Sequence, residues 1–400
     1  MSRARHPLAT PSRSKSILIE GWRATNHSLA LVNQYQILEL RKLPHLRLFH
    51  ADAPLHTSDW NKQTATSGFS RSDRQRIDTL SSPGNEKIDC VYRIFSPFQA
   101  AAEADRRKTL TFMVTELGPF RISFDKTAQN PDCFTRGENR IVTPSSWSRD
   151  RLIDWGFAAD RISIAPHGVD SATFRPLNVA ERAAARKILG LHDDDVVFLN
   201  VGAAVWNKGV DLLLLAFAHL RGAGRPIRLV LRDRIDMYGF SVTSELQKLA
   251  AKNPGLFTPS TMAAVSVIHD DLSREHLRLL YGTADCYVSP YRAEGFNLPV
   301  LEAIACGTPV IVTRGGATDD FCDDQVAIRI PGTPGQHEDI AAGHRGRYIT
   351  PNMDELIQAM DRFATFRPTG LDNFAAARAR VLEKFSWRNA ALQLAGLAVG

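Results

Sequence analysis

Residues 196–231 read VVFLNVGAAVWNKGVDLLLLAFAHLRGAGRPIRLVL, and this stretch decides the fold class. Val196–Val201 is a short apolar run of the kind that forms a buried strand. Val210–Leu220 (VDLLLLAFAHL) carries apolar residues at helical spacing, and Ile227–Leu231 is strand-like again. Strand, helix and strand with short connections make a βαβ unit and a mostly parallel sheet covered on both faces. The alternation continues outward. Val242–Lys252 reads as helix, Ala264–Ile268 as strand, Arg274–Gly282 as helix and Cys286–Ser289 as strand. Pro299–Cys306 then reads as helix and Pro309–Thr313 as strand.

The first half repeats the theme more loosely. Ser16–Glu20 (SILIE), Cys90–Ile94, Thr111–Thr115, Arg140–Thr143 and Ile162–Ala165 read as strands, and Ser28–Leu43 as a helix. Residues 50–88 are polar with weak periodicity and read as loops with short helices. The chain ends in helical segments, Leu371–Lys384 and Trp387–Val399, with Ser386 placed to N-cap the second. The expectation is an α/β protein with two doubly wound, Rossmann-like domains. Its expected parts are a basic tail at 1–15, a first domain at 16–170, a second at 171–385 and a terminal helix at 386–400. Ligands in such folds bind at the carboxyl ends of the strands.

Composition narrows the classes. With 400 residues, 44% hydrophobic and 23% charged, the chain sits among soluble globular proteins and away from disordered or collagen-like ones. No run approaches the roughly 18 apolar residues of a membrane-spanning helix. Of the net +6, residues 1–175 hold 25 basic and 18 acidic side chains, against 24 and 25 in the remainder. Arg3, Arg5, Arg13 and Lys15 crowd the first fifteen residues, which read as a solvated tail without a signal peptide's apolar core. The excess left over allows weak attraction to an anionic acceptor or a peripheral membrane surface, and is too small to point to nucleic acid. Five widely spaced cysteines without a C-x-x-C pair suit the cytoplasm, and twelve scattered histidines show no metal-binding pattern. G-x-x-x-x-G-K-[ST], G-x-G-x-x-G and G-x-S-x-G are all missing, which argues against a P-loop hydrolase, a dinucleotide enzyme and a serine hydrolase.

The densest signal is Ser289–Val312, SPYRAEGFNLPVLEAIACGTPVIV. A strand ends, a loop carries Glu294-Gly295-Phe296-Asn297, and Pro299 opens a helix whose first turn would hold Glu302. Gly295 lets backbone approach a ligand, and unpaired N–H groups at the helix start can donate to its oxygens. Two carboxylates at the mouth of a parallel sheet suit a ligand rich in hydroxyls. Taken in isolation, an E-x7-E reads first as a capped surface helix with two solvated glutamates, because that spacing arises often by chance.

This stretch resembles the E-x7-E signature of retaining glycosyltransferases of GT-B architecture, family 4, the glycosyl transferases group 1. Val201-Gly202 with Lys208-Gly209-Val210-Asp211 is similar to that family's glycine loop and lysine–glycine pair. Ile164–Asp170 (IAPHGVD) resembles its interdomain hinge, Thr143-Pro144-Ser145 the close of its first domain, and Gly315-Gly316 its later glycine pair. These matches fall in the family's order over roughly residues 140–325.

The resemblance implies two domains facing a central cleft, with the last helix crossing back onto the first. It implies a nucleotide-sugar donor on the second domain and no cofactor or required metal. The acceptor would be a glycan, a lipid-linked molecule or a protein, bound on the first domain. Catalysis would rest on Glu294, on a sugar hydroxyl, and Lys208, on the departing diphosphate; Glu116, at a strand end where many relatives place a cleft-lining histidine, would bind the sugar or act as the acceptor's base. Gly202, Ala203, Arg232, Gly295, Phe296, Asn297, Leu298 and Glu302 would complete the donor site, with Glu302 on the ribose. Gly21, Trp22, Asn26 and His27 would face the acceptor.

The pattern departs at Ala203, where the family places an arginine for the diphosphate; Arg232, Arg292 and Arg314 are the candidate substitutes. The first loop also has one glycine where two are usual. The Ala203 departure keeps open a non-catalytic nucleotide-sugar-binding subunit, and the shared fold a sugar phosphorylase or epimerase.

Overall fold

The computed structural model describes residues 14–23, 25, 27–55, 68–125, 130–233, 241–339, 344–366 and 374–400. Asn26, all but the end of the tail, and the start of the helix read at Leu371 lie outside these. Strands β1 (Lys15–Gly21), β2 (Leu46–Asp52), β3 (Cys90–Ile94), β4 (Lys108–Phe112), β5 (Arg140–Thr143) and β6 (Ile162–Ile164) form one six-stranded sheet, ordered β2-β1-β3-β4-β5-β6. Strands β7 (Val196–Val201), β8 (Ile227–Arg232), β9 (Val265–Ile268), β10 (Cys286–Ser289), β11 (Val310–Thr313) and β12 (Ala327–Ile330) form a second, ordered β12-β11-β10-β7-β8-β9. Every pairing in both sheets is parallel. A separate antiparallel hairpin joins β13 (Gly332–Asp339) to β14 (His344–Pro351).

The apolar runs that mark the second sheet follow from its covering. Strands β10 and β11 are buried along their whole length, because helices close both faces. Helix Val210–Gly222 packs Leu213, Leu214 and Phe217 into one of these cores with Phe198 and Leu229. It starts at Gly209, held at φ 69°, where a Cβ would overlap the Pro290 carbonyl. Chain order reverses between β7 and β10, so the ends of these two strands open the crevice that holds ligands in such sheets.

The two domains are tied by a double crossing. Val169 N–H donates to the Phe385 carbonyl at 3.0 Å, and a Cβ on Gly168 would overlap the backbone of Ser386 and Trp387. Beyond this point helix Trp387–Val399 leaves the second domain and enters the first domain's core with Ala391 and Leu394. Trp387 stacks on Tyr35 with ring centroids 4.5 Å apart, and Ser386 caps the helix by accepting from Asn389 N–H. His167 is enclosed by Phe112, Phe296 and Trp387, and burial lowers its pKa to about 3, so it packs here as a neutral ring.

Several sequence expectations need correction. Strand β2, Leu46–Asp52, was not read as a strand and runs into the region 50–88 read as loops with short helices, and Lys15 belongs to β1. An edge strand is half-exposed and lacks the continuous apolar run that marks its neighbours. Strand β4 ends at Phe112, short of Thr115, and the first long helix ends at Leu40, short of Leu43. Helices Val179–Ile188 and Met353–Phe366 and the β13–β14 hairpin were not legible as elements. Among the described residues no helix is long and apolar enough to cross a membrane.

Candidate active site

A cavity of about 620 Å³ lies between the carboxyl ends of the two sheets. At its centre Lys208 Nζ donates to Glu294 Oε1 at 2.6 Å and lies 3.6 Å from Glu116 Oε1. Asn207 Nδ2 donates to Glu116 Oε2 at 2.7 Å and to the Ala293 carbonyl at 3.0 Å. Glu116 follows β4 in the first domain, whereas Asn207 and Lys208 follow β7 and Glu294 follows β10. The cluster therefore straddles the cleft. Glu294 is only 7% exposed; burial raises its carboxyl above the usual range, the Lys208 ammonium pulls it back, and Glu116 pushes it up.

The loop after Glu294 is held from the first domain. The Ser145 hydroxyl donates to the Gly295 carbonyl at 2.6 Å and accepts from Ser148 N–H at 3.0 Å, capping helix Ser146–Trp155. A Cβ on Gly295 would overlap the Val114 side chain, so this contact needs glycine. Asn297 adopts φ 73°, and its Nδ2 donates to Ser289 Oγ at 3.0 Å. Helix Leu298–Ala305 consequently starts without a side-chain cap; Pro299 has no N–H and Val300 N–H donates to the Asn297 carbonyl at 3.1 Å, while Leu298 lies at the cavity wall.

Glu302 does not lie in that helix's first turn, as the sequence suggested. The helix begins at Leu298, one residue before Pro299, which puts Glu302 at its fifth position. Its carboxylate faces the cavity and accepts from the Tyr281 hydroxyl at 2.8 Å. Burial raises its pKa to about 7, against the opposing effect of that hydrogen bond.

Of the three candidate substitutes for the missing arginine, only Arg232 lines the cavity. It ends β8 in register with Val201, and its carbonyl accepts from Gly202 N–H at 3.0 Å, beside buried Ala203. Arg292 is turned away into a two-bond pair with Asp211, at 2.8 and 2.7 Å, beneath Trp206. Arg314 lies exposed near Asp324. Gly202, Phe296 and Leu298 also line the cavity.

On the acceptor side, His27 lines the cavity and caps helix Ser28–Leu40, its Nδ1 accepting from Leu29 N–H at 3.1 Å. Gly21 and Trp22 do not reach the described wall. A Cβ on Gly21 would overlap the Ile94 carbonyl, and buried Trp22 donates to the Pro54 carbonyl at 2.9 Å.

Residues the sequence did not signal complete the site. Arg274 enters from the second domain, donating to Tyr35 Oη at 2.6 Å and the Gly68 carbonyl at 3.0 Å, over the Phe69 ring. The β13–β14 hairpin reaches the first domain through Arg347, whose N–H donates to the Leu117 carbonyl at 2.8 Å and whose side chain pairs with Asp154. Only Asn207, adjacent to Lys208, was open to discovery by position.

Two doubly wound domains closing on a cleft at their strand ends define the GT-B architecture. Residues 181–364, a span within the second domain, match the family described as glycosyl transferases group 1. The chain is 35% identical over 198 residues to the D-inositol 3-phosphate glycosyltransferase of Geodermatophilus obscurus, covering 47% of this chain and 41% of that protein. It is 28% identical over 260 residues to the MMP alpha-(1->4)-mannosyltransferase of Mycolicibacterium hassiacum, covering 63% and 52%. The chain thus spans about half the length of the curated relatives it matches. Among solved structures, sucrose-phosphate synthase from Thermosynechococcus elongatus shares the fold with a TM-score of 0.67 at 16% identity, over 96% of this chain and 98% of that one. HepE of Anabaena, solved in complex with UDP-glucose, gives 0.67 at 14% identity, over 95% and 98%.

Proposed function

We propose that the chain is a retaining glycosyltransferase that moves a sugar from a nucleoside-diphosphate donor to an acceptor hydroxyl, with no required metal. The observation that carries this reading is the Glu116–Lys208–Glu294 cluster across the cleft, beside an uncapped helix start. Named relatives with glycosyltransferase activity and a fold neighbour holding UDP-glucose support it. On donor binding Lys208 turns from Glu294 to the diphosphate and stabilises the charge that grows as the anomeric C–O bond breaks. Glu294, released, accepts from a sugar hydroxyl and steadies the positive charge at the anomeric carbon. Backbone N–H groups from Gly295 to Leu298 meet the sugar, and Glu302 accepts from the ribose. The acceptor oxygen forms the new bond on the face the diphosphate leaves, and its proton passes to Glu116. Arg232, beside Ala203, supplies the second diphosphate cation. The setting is cytoplasmic, with peripheral membrane contact for a lipid-linked acceptor.

Glu294→Ala and Lys208→Ala should each abolish transfer from a nucleotide sugar while leaving circular dichroism and melting close to wild type. Unchanged turnover in both variants would end the proposal. Ala203 favours one second reading, a nucleotide-sugar-binding subunit, which nucleotide binding without turnover on any acceptor would support.

A further inference from the structure

The two faces of the cavity are chemically unlike. The described second-domain face carries the cations Lys208, Arg232 and Arg274. The described first-domain face carries no lysine or arginine; its one carboxylate is Glu116, and its other ionisable side chains are His27, which caps its helix, and the buried rings of Tyr35 and His167. Leu31, Val114, Phe98, Pro119 and Phe120 make up much of the rest. Arg274 is the cation nearest in the fold to this face, and its guanidinium already serves Tyr35, Gly68 and Asp170. The apolar surface also continues outward. Phe120 at the cavity edge is 37% exposed, and Ile122, two residues on, is 81% exposed.

We infer that the acceptor is an uncharged, hydroxyl-bearing molecule with an apolar tail, and not a phosphorylated sugar. This rests on the glycosyltransferase reading for the word acceptor; the wall itself is described independently of it. A phosphate on the described part of this face would meet no lysine or arginine of the first domain, would lie beside the Glu116 carboxylate, and would have to draw Lys208 or Arg274 from the partners they already hold, which disfavours it. An alkyl chain would run along the half-buried Leu31 and Val114 and leave over Phe120 and Ile122, with its polar head at Glu116. The gain comes from taking that apolar surface out of water.

The test titrates the full chain with n-octyl β-D-glucopyranoside below its micelle concentration, with methyl β-D-glucopyranoside and with glucose 6-phosphate. The octyl glucoside should bind at least roughly tenfold more tightly than either of the others, as several buried methylenes require. Phe120→Asp combined with Ile122→Asp, both at exposed positions, should remove most of that advantage. Glucose 6-phosphate binding as well as the octyl compound, or an octyl affinity indifferent to the double variant, would overturn the inference. A parallel thermal-shift titration with UDP, GDP and ADP keeps the two readings apart. Octyl binding with no nucleotide stabilisation would defeat the glycosyltransferase reading and leave the apolar face standing, whereas nucleotide stabilisation with no octyl preference would do the reverse.

Discussion

Replacing Ser145 by alanine should cost the protein more than a helix cap is worth. Ser145 is fully buried; its hydroxyl accepts from Ser148 N–H and donates to the Gly295 carbonyl of the other domain. Losing an N-cap costs about 1 kcal/mol. Leaving a buried carbonyl without its donor costs about 1–3 kcal/mol more. The sum is about 2–4 kcal/mol. Ser386→Ala provides the comparison, because Ser386 caps helix Trp387–Val399 through Asn389 N–H and should cost only about 1 kcal/mol. Urea unfolding of both variants, with matched slopes, measures the difference. Because the Gly295 carbonyl is how the first domain holds the Glu294 loop, Ser145→Ala should also lower turnover, while Ser386→Ala leaves it near wild type. Equal stability losses in the two variants would refute the claim that Ser145 ties the domains together.

Other consequences are open to measurement. Burial holds Glu302 near a pKa of about 7, so nucleotide affinity should rise with pH through that value, and Glu302→Gln should flatten the rise. The linked effect on stability has the opposite sense: since the folded pKa lies above the ordinary 4.5, Glu302's contribution is full below 4.5 and is lost as pH rises through about 7. Urea titration across that window, with Glu302→Gln as control, checks it. Gly168→Ala should cost more than about 3 kcal/mol, because its Cβ meets the backbone of Ser386 and Trp387 and no flexible side chain can yield. A double-mutant cycle on Arg347 and Asp154 should return less than about 1 kcal/mol, since both side chains are substantially solvated.

The parts of the fold that read cleanly from sequence were those where burial is two-sided. Strands β7, β10 and β11 are mostly apolar because helices cover both faces, and the βαβ rhythm around them was plain. Strand β2, at an edge, mixes polar and apolar residues because one side of it meets water. The β13–β14 hairpin carries glycines, two prolines and charges, and takes its place from contacts to Leu117, Asp154 and Arg292 that no local pattern announces. The site divides along the same line. Glu294, Lys208 and Glu302 were picked out by the resemblance of their motifs to those of a known family, and all three line one cavity with Glu116. Gly21 and Trp22 were picked out because they follow a strand, but packing against Ile94 and Pro54 turns them from the wall. Arg274 was invisible, because its partners Tyr35, Gly68 and Asp170 lie far away in sequence.

The charge cluster between the domains is the centre of the account, and nucleoside-diphosphate release measures it most directly. Incubated with a panel of nucleotide sugars and an acceptor alcohol, the wild-type chain should release diphosphate from one donor, and Glu294→Gln should not. Release that is equal in the two proteins, or absent with every donor, would contradict it.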